Sequence, residues 1–139
     1  MEVNGYKIEP GADLRAANLG GADLSGADLE GVNLEHANLF NADLSGANLK
    51  RANLMHALLR YSNLTGANLK WANLAFADLR WADLRWADVG RANLSGADLR
   101  RAKVTERYLQ FANVLPRLGL MHDGHLDNSS HPPLWSPPD

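Results

Sequence analysis

A leucine recurs at every fifth position from Leu14 to Leu99, and Val89 is the single exception. An alanine usually stands two positions before it, and Asp or Asn stands between the two. The unit Ala-(Asp/Asn)-Leu-X-X repeats eighteen times over residues 12–101, and a weaker copy follows at 102–104. A repeat this dense constrains the fold more than any other feature of the chain.

A period of five is incompatible with a regular helix or a straight strand. On an α-helix the leucines would advance by about 140° per repeat and would spiral around every face. On a strand they would alternate between the two faces. Each unit must therefore contain its own turn. The sequence predicts that Ala and Leu point inward, that Asp or Asn points outward, and that the two X residues form the turn.

The exceptions to the repeat are few. Val32 and Ser62 replace the alanine, and Leu58 replaces the Asp or Asn. Glycine is frequent at the second X position, as expected where the backbone needs a positive φ. These glycines are Gly21, Gly26, Gly31, Gly46, Gly66 and Gly96.

The repeat resembles that of the pentapeptide repeat proteins, and the likeness covers about two thirds of the chain. The resemblance implies an all-β solenoid, a right-handed, four-sided β-helix with four pentapeptides per coil. About four and a half coils at strand spacing would give a rod of roughly 22 Å. One leucine and one alanine per side leave no room for a substrate or cofactor inside, so we expect no cofactor.

Four segments are predicted along the chain. Residues 1–11 form an N-terminal cap in which Val3, Tyr6 and Ile8 cover the first coil, and residues 12–106 form the β-helix. Residues 107–121 form a short C-terminal cap helix, for which Thr105 is the N-cap and Pro116 the end. Residues 122–139 form a Pro-rich tail with little regular structure.

Composition excludes several classes of protein. The chain has 139 residues, a net charge of −2 and no cysteine, so disulfides and cysteine–zinc sites are excluded. The net charge gives no reason to expect direct binding to nucleic acid or to a membrane. The N-terminal residues show no signal-peptide pattern and no apolar run is long enough to span a bilayer, so we expect a cytoplasmic protein.

Aromatic side chains cluster in one coil at the second X position. With the residues stacked on them they form a candidate partner surface. The alternative is that these side chains pack as ladders along the rod, with cation–π contacts to arginine. The candidate residues are Tyr61, Trp71, Phe76, Trp81, Trp86, Arg91 and Arg101.

Two polar columns have both a functional and a structural interpretation. Arg60, Arg80 and Arg100 form a candidate anion-binding strip, or a charge ladder paired with neighbouring aspartates. The asparagines at 33, 53, 73 and 93 are interpreted as a structural amide ladder. His36 and His56 stack without a carboxylate column beside them, so we expect no metal site.

The sequence favours a non-enzymatic structural or protein-interaction module. It contains no catalytic motif, and its carboxylates lie at regular outward positions. The partner would be another protein or a second copy of the chain, with dimerisation through the C-terminal cap as one arrangement. The alternative, implied by some relatives, is a DNA-mimicking regulator that protects DNA gyrase. The near-neutral surface disfavours it, because such mimicry needs strong negative charge.

Overall fold

The computed structural model describes residues 1–105, and its repeated element is a coil of 20 residues. Isolated parallel bridges join residues 20 apart along the rod, from Asp13–Asn33 to Asp78–Asp98. The regular strands are short. They are β1 (Glu2–Val3), β2 (Tyr6–Lys7), β3 (Asp83–Leu84) and β4 (Lys103–Val104). Strands β3 and β4 pair in parallel, with Asp83 opposite Lys103 and Leu84 opposite Val104.

Backbone hydrogen bonds hold neighbouring coils together and close each turn. The Leu44 N–H donates to the Asn63 carbonyl at 2.7 Å, and the Asn63 N–H donates to the Ala42 carbonyl at 2.9 Å. Within the turn, the Ala47 N–H donates to the Leu44 carbonyl at 3.0 Å. A positive φ of 65° at Gly46, the third residue of this turn, is what a type II turn requires.

The interior is lined by the leucines and alanines of the repeat. Leu44 and Leu64 are fully buried and Leu84 is nearly so. Ala42, Ser62 and Ala82, two positions before them, are buried as well, so the inward positions predicted from the sequence are confirmed. Burial of each leucine contributes about 1.5–3 kcal/mol to stability. The small alanine allows the opposite walls of a narrow coil to pack closely.

Three repeat exceptions have structural consequences. Ser62 takes an inward alanine position, and its buried hydroxyl has no hydrogen-bond partner among the described residues. Leu58 takes an outward position and is half exposed. Val89 is shorter than the leucine it replaces, and it lines a small apolar cavity near the last described coil, with Leu94 and Val104 among its neighbours.

The outward Asp or Asn of each repeat binds the backbone of its own turn. The Oδ1 atom accepts the N–H two residues later, as in Asn53 with Met55 at 3.0 Å. The amide ladder predicted for this column is present at one step, where Asn53 Nδ2 donates to Asn33 Oδ1 at 3.4 Å. The backbone bond recurs at Asn33, Asn73 and Asn93, so the side-chain oxygens mainly stabilise the turn.

A β-hairpin covers the N-terminal end of the rod. Strands β1 and β2 pair antiparallel, with Glu2 opposite Lys7 and Val3 opposite Tyr6. Ile8 is buried, and both Val3 and Tyr6 pack against the core. The helix predicted over 107–121 and the tail predicted over 122–139 lie outside the described residues, and the right-handed winding stays a prediction.

Candidate protein-interaction surface

The second X residue of every repeat forms a corner of the coil and has a positive φ. The eighteen corner residues of 16–101 have φ between 56° and 69°, and twelve of them are not glycine. This conformation costs a residue other than glycine about 1–2 kcal/mol. Aromatic side chains therefore stand where the backbone favours glycine, and so do Ala16, Asn41 and Arg51. The aromatic corners of one coil are Trp71, Phe76, Trp81 and Trp86.

Because these four aromatic residues occupy four successive corners, they point away from the rod in different directions. A flat partner can contact two adjacent corners at most. The predicted partner surface is therefore a belt around the rod and not one continuous patch. Trp71 and Arg91 share one corner, and Tyr61, Trp81 and Arg101 share another. Phe76 and Trp86 each lie at one of the other two corners.

Rings at the same corner of successive coils stack on one another. His36 and His56 lie 4.8 Å apart between centroids, and His56 and Phe76 lie 5.2 Å apart. Tyr61 and Trp81 stack at 6.0 Å. The ladder packing considered as the alternative is therefore present. Stacking covers the rings along the rod and leaves Phe76, Tyr61 and Trp81 about half exposed.

Two corners also carry cation–π contacts of equal length. The guanidinium carbon of Arg91 lies 5.5 Å from the ring centroid of Trp71. The guanidinium carbon of Arg101 lies 5.5 Å from that of Trp81. Each contact contributes about 0.5–1 kcal/mol at an exposed site. The two pairs are chemically alike and lie at different corners, which makes one a natural control for the other.

One corner extends into a larger apolar surface, which we call the aromatic edge and define as Phe40, Leu58, Tyr61, Trp81 and Arg101. Phe40 meets Tyr61 edge to face at 5.7 Å, and Tyr61 stacks on Trp81. Leu58 lies on the same side of the rod, since it belongs to the same repeat as Tyr61. The four apolar side chains are 48–50% exposed. Exposed apolar side chains in one group mark contact surfaces.

The candidate anion strip is paired internally. Arg80 binds Asp78 through Nε and Nη2 at 2.9 and 2.8 Å, and Arg100 binds Asp98 in the same way at 2.9 and 2.6 Å. Arg60 Nη2 lies 3.3 Å from Asp78 Oδ2. Three arginines thus share two carboxylates. An incoming anion would have to compete with these bidentate contacts.

The two carboxylates of this strip titrate differently. Burial raises the pKa of Asp78 even though Arg60 is close, and repulsion from Asp98 adds to the increase. Burial also acts on Asp98, but hydrogen bonds and charge from Arg100 outweigh it and hold the pKa of Asp98 below its ordinary value. The strip therefore behaves as a coupled charge ladder along the side of the rod.

Comparison with known proteins agrees with the repeat. A family model for pentapeptide repeats matches eight copies, over residues 11–46, 37–75 and 77–106. The chain belongs to the pentapeptide repeat family. No curated protein matches it.

Solved structures support the same fold for this pentapeptide repeat protein. A pentapeptide repeat protein from the thylakoid lumen of Arabidopsis thaliana is 29% identical, with a TM-score of 0.67, over 76% of this chain and 79% of its own. The pentapeptide repeat protein Rfr23 from the cyanobacterium Cyanothece 51142 is 39% identical, with a TM-score of 0.62. That match covers 68% of this chain and 63% of Rfr23, which is less than two thirds of its length.

Charge is distributed unevenly along this pentapeptide repeat protein. Residues 1–50 contain eight carboxylates and three basic side chains, a net charge of −5 with neutral histidine. Residues 51–105 contain four carboxylates and nine basic side chains, a net charge of +5. The near-neutral net charge is therefore the sum of an acidic half and a basic half of the rod.

No group of three or more His, Asp or Glu side chains within residues 1–105 could hold a metal ion. The two stacked histidines, His36 and His56, lie parallel to within 4°. No helix in this part of the chain is long and apolar enough to cross a membrane.

Sequence reasoning missed two members of the aromatic edge. Leu58 was recognised as an exception to the outward Asp or Asn but was not assigned to a surface. Phe40 lies at the first X position, where the sequence pattern sets no rule. A search for apolar residues at outward positions would have found Leu58. Phe40 needed the structure, because only its contact with Tyr61 places it in the group.

Proposed function

We propose that this pentapeptide repeat protein is a non-enzymatic protein-interaction module that binds through the aromatic edge. The observation that carries the proposal is the exposure of Phe40, Leu58, Tyr61 and Trp81 on one side of a rigid coil. Two of these residues, Tyr61 and Trp81, occupy corners with a positive φ, where glycine would be less strained. Aromatic and arginine side chains dominate the energetics of protein contacts.

Leu58 gives the strongest argument that the edge has a role beyond stability. At the equivalent position of other repeats, Asp or Asn accepts a backbone N–H two residues later, as Asn48 does from Lys50 at 3.1 Å. Leucine cannot accept this bond and exposes half of its apolar surface to water. A leucine at this position therefore favours contact with a partner over stability of the isolated chain.

The proposed role is that of a rigid scaffold, with no chemical step. The cytoplasmic location expected from the sequence stays a prediction. The alternative of gyrase protection by DNA mimicry requires a strongly negative surface, whereas residues 51–105 carry +5. Inhibition of gyrase supercoiling, or protection of gyrase from a drug, by the pure protein would favour that alternative.

Affinity capture tests the proposed function. The immobilised full chain, Leu58→Asn and Trp81→Ala are compared in extract from cells that naturally make the protein, and bound proteins are identified by mass spectrometry. Leu58→Asn restores the common residue of the repeat, so it should fold and bind less partner. Trp81→Ala loses one stacked ring, at a stability cost of about 1 kcal/mol.

Trp71→Ala is the matched control, because it also removes an exposed tryptophan that lies under an arginine. We expect it to capture the same partner as the wild type. Equal capture by the wild type, Leu58→Asn and Trp81→Ala would show that the edge does not carry binding.

A further inference from the structure

The aromatic edge follows a corner column with an apolar centre and a basic residue, Arg101, at one end. The column runs through positions 21, 41, 61, 81 and 101, one residue per coil, with Tyr61 at its centre. Two positions further along the chain, on the next side of the rod, a second column contains Asp23, Asp43, Asn63, Asp83 and Lys103. The apolar centre thus lies between an acidic end and a basic end.

The carboxylates at the acidic end have no cationic partner among the described residues. Asp23 and Asp43 each accept the N–H and the hydroxyl of a serine in their own turn, Ser25 and Ser45. Within residues 1–105, neither carboxylate lies within 4.0 Å of a cationic nitrogen. At the other end, Arg101 contacts the Trp81 ring.

We propose that two copies of this chain associate side by side and antiparallel through the aromatic edge, with the two-fold axis beside Tyr61. The two-fold rotation places the coil that contains position 21 of one copy beside the coil that contains position 101 of the other. Arg101 and Lys103 of each copy then face Asp23 of its partner, and Asp43 faces the Asp83–Arg85 ion pair. In a two-fold symmetric interface, each contact between two different residues occurs twice. The inference rests on the proposed function, because it names the partner of the same edge.

Charge complementarity selects this orientation over a parallel one. The acidic half of each rod, with a net charge of −5, lies against the basic half of its partner, with +5. A parallel arrangement would place like charges together along the whole length. The apolar side chains Phe40, Tyr61 and Trp81 of both copies meet around the axis. Their contact buries surface area but does not favour the antiparallel arrangement over the parallel one.

The size of the rod sets the expected strength. Nearly five coils at about 4.8 Å each give a contact line of roughly 22 Å. An interface of this length belongs to the small class, which forms weak and transient complexes. We therefore expect a monomer–dimer equilibrium in the range of tens of micromolar, which salt weakens because exposed charges orient it.

Sedimentation equilibrium of the full chain at about 0.05 M and about 0.5 M salt tests the proposal. We expect reversible dimerisation at low salt and at least about tenfold weaker dimerisation at high salt. Asp23→Asn should weaken the dimer and leave the fold intact. Asparagine makes the same turn bond at Asn53 and Asn63.

Two variants at other corners serve as controls. Arg91→Glu makes the same chemical change as Arg101→Glu, beside Trp71 in place of Trp81. We expect Arg101→Glu to abolish the dimer and Arg91→Glu to leave it unchanged. Asp28→Asn is the control for the acidic end, because Asp28 lies on a different side of the rod from Asp23 and Asp43.

A mixing experiment separates a lost contact from a damaged fold. Asp23→Arg alone and Arg101→Glu alone should each sediment as monomers, because like charges then face each other across the axis. Mixed in equal amounts, they should form a heterodimer in which position 23 of each copy faces position 101 of the other with opposite charge. Thermal melting of each variant confirms that it is folded before mixing.

Three results would overturn the antiparallel dimer. The first is a monomeric wild type at about 200 μM and low salt, since the interface class predicts association there. The second is a dimer that Asp23→Asn and Arg101→Glu both leave unchanged, as dimerisation through the C-terminal segment would predict. The third is a mixture that stays monomeric. If the chain is monomeric but Leu58→Asn still reduces capture of another protein, this inference fails and the proposed function stands.

Discussion

The corner residues show how single positions set the stability of this rod. Glycine and other residues adopt the same positive φ at the corners. The backbone conformation is therefore the same at each corner, and its free-energy cost depends on the side chain. Gly46 has open space where a Cβ would be added. Gly96 does not, because an added Cβ would lie 2.5 Å from Cδ1 and Cε1 of Phe76. Gly96 is therefore needed for both its conformation and its small size.

This difference predicts unequal effects of the same substitution. Gly46→Ala should destabilise the protein by about 1 kcal/mol, the cost of a positive φ. Gly96→Ala should cost about 1–3 kcal/mol more, because the Phe76 ring must move. Chemical denaturation measures both. In a double-mutant cycle, Phe76→Ala should remove the extra cost of Gly96→Ala, and an unchanged cost would contradict the proposed overlap.

Ser62 is the residue whose replacement should most simply stabilise the chain. Its buried hydroxyl lacks a partner among residues 1–105, and an unsatisfied buried hydroxyl costs about 1–3 kcal/mol. Ser62→Ala restores the alanine of the repeat and should raise the free energy of unfolding by about 1 kcal/mol or more. Ser45→Ala is the control. It removes a hydroxyl that donates to Asp43 at 2.6 Å and should bring no gain.

At the scale of the element, each turn is stabilised by its outward side chain. Where that side chain is Asp and the residue two positions later is Arg, an ion pair is added to the turn. Arg85 binds Asp83 through Nε and Nη2 at 2.9 and 2.7 Å. Burial favours a higher pKa for Asp83, but the hydrogen bonds and charge of Arg85 outweigh it and lower the pKa below 3.8.

The lowered pKa of Asp83 predicts the sign of a pH effect. A carboxylate with a depressed pKa in the folded state stabilises the protein above its unfolded pKa and loses this contribution as pH falls through the folded pKa. The wild type should therefore melt at a higher temperature than Asp83→Asn near neutral pH. The difference should shrink below about pH 4. A difference independent of pH between about 3 and 7 would show that the ion pair adds nothing beyond the turn bond.

At the scale of the whole molecule, the stability of each coil depends on the coils packed next to it. Each coil packs its leucines on those of its neighbours, so a central coil has two neighbours and a terminal coil has one within the helix. Leu64 is fully buried in a central coil, and Leu14 lies in the first coil next to the hairpin. The position of a coil therefore matters as much as the residue that is changed.

Truncation of these two leucines should have different effects. Leu64→Ala should cost about 2–5 kcal/mol, because a narrow core relaxes little around a cavity. Leu14→Ala should cost less, since the end of the rod can adjust. Urea denaturation followed by circular dichroism measures both changes. Equal losses at the two sites would show that the rod unfolds as one unit with no weaker end.

The sequence by itself determined the coil and the direction of its side chains. A leucine every five residues and an alanine two positions earlier can be buried together in a chain that turns within every repeat. The structure confirms this for Leu44, Leu64 and Ala47. The glycines of the second X position likewise indicated where the turns lie, because a positive φ is a local requirement that the residue type reveals.

The tertiary structure decided what the outer surface offers. Whether Arg80 faces solvent or Asp78, and whether Phe40 stands alone or meets Tyr61, depends on side-chain rotamers and on residues about 20 positions apart along the chain. The repeat imposes no preference on these contacts, since outward positions tolerate many residue types. The core follows from packing, which constrains every inward residue, whereas the candidate site follows from a few contacts between coils.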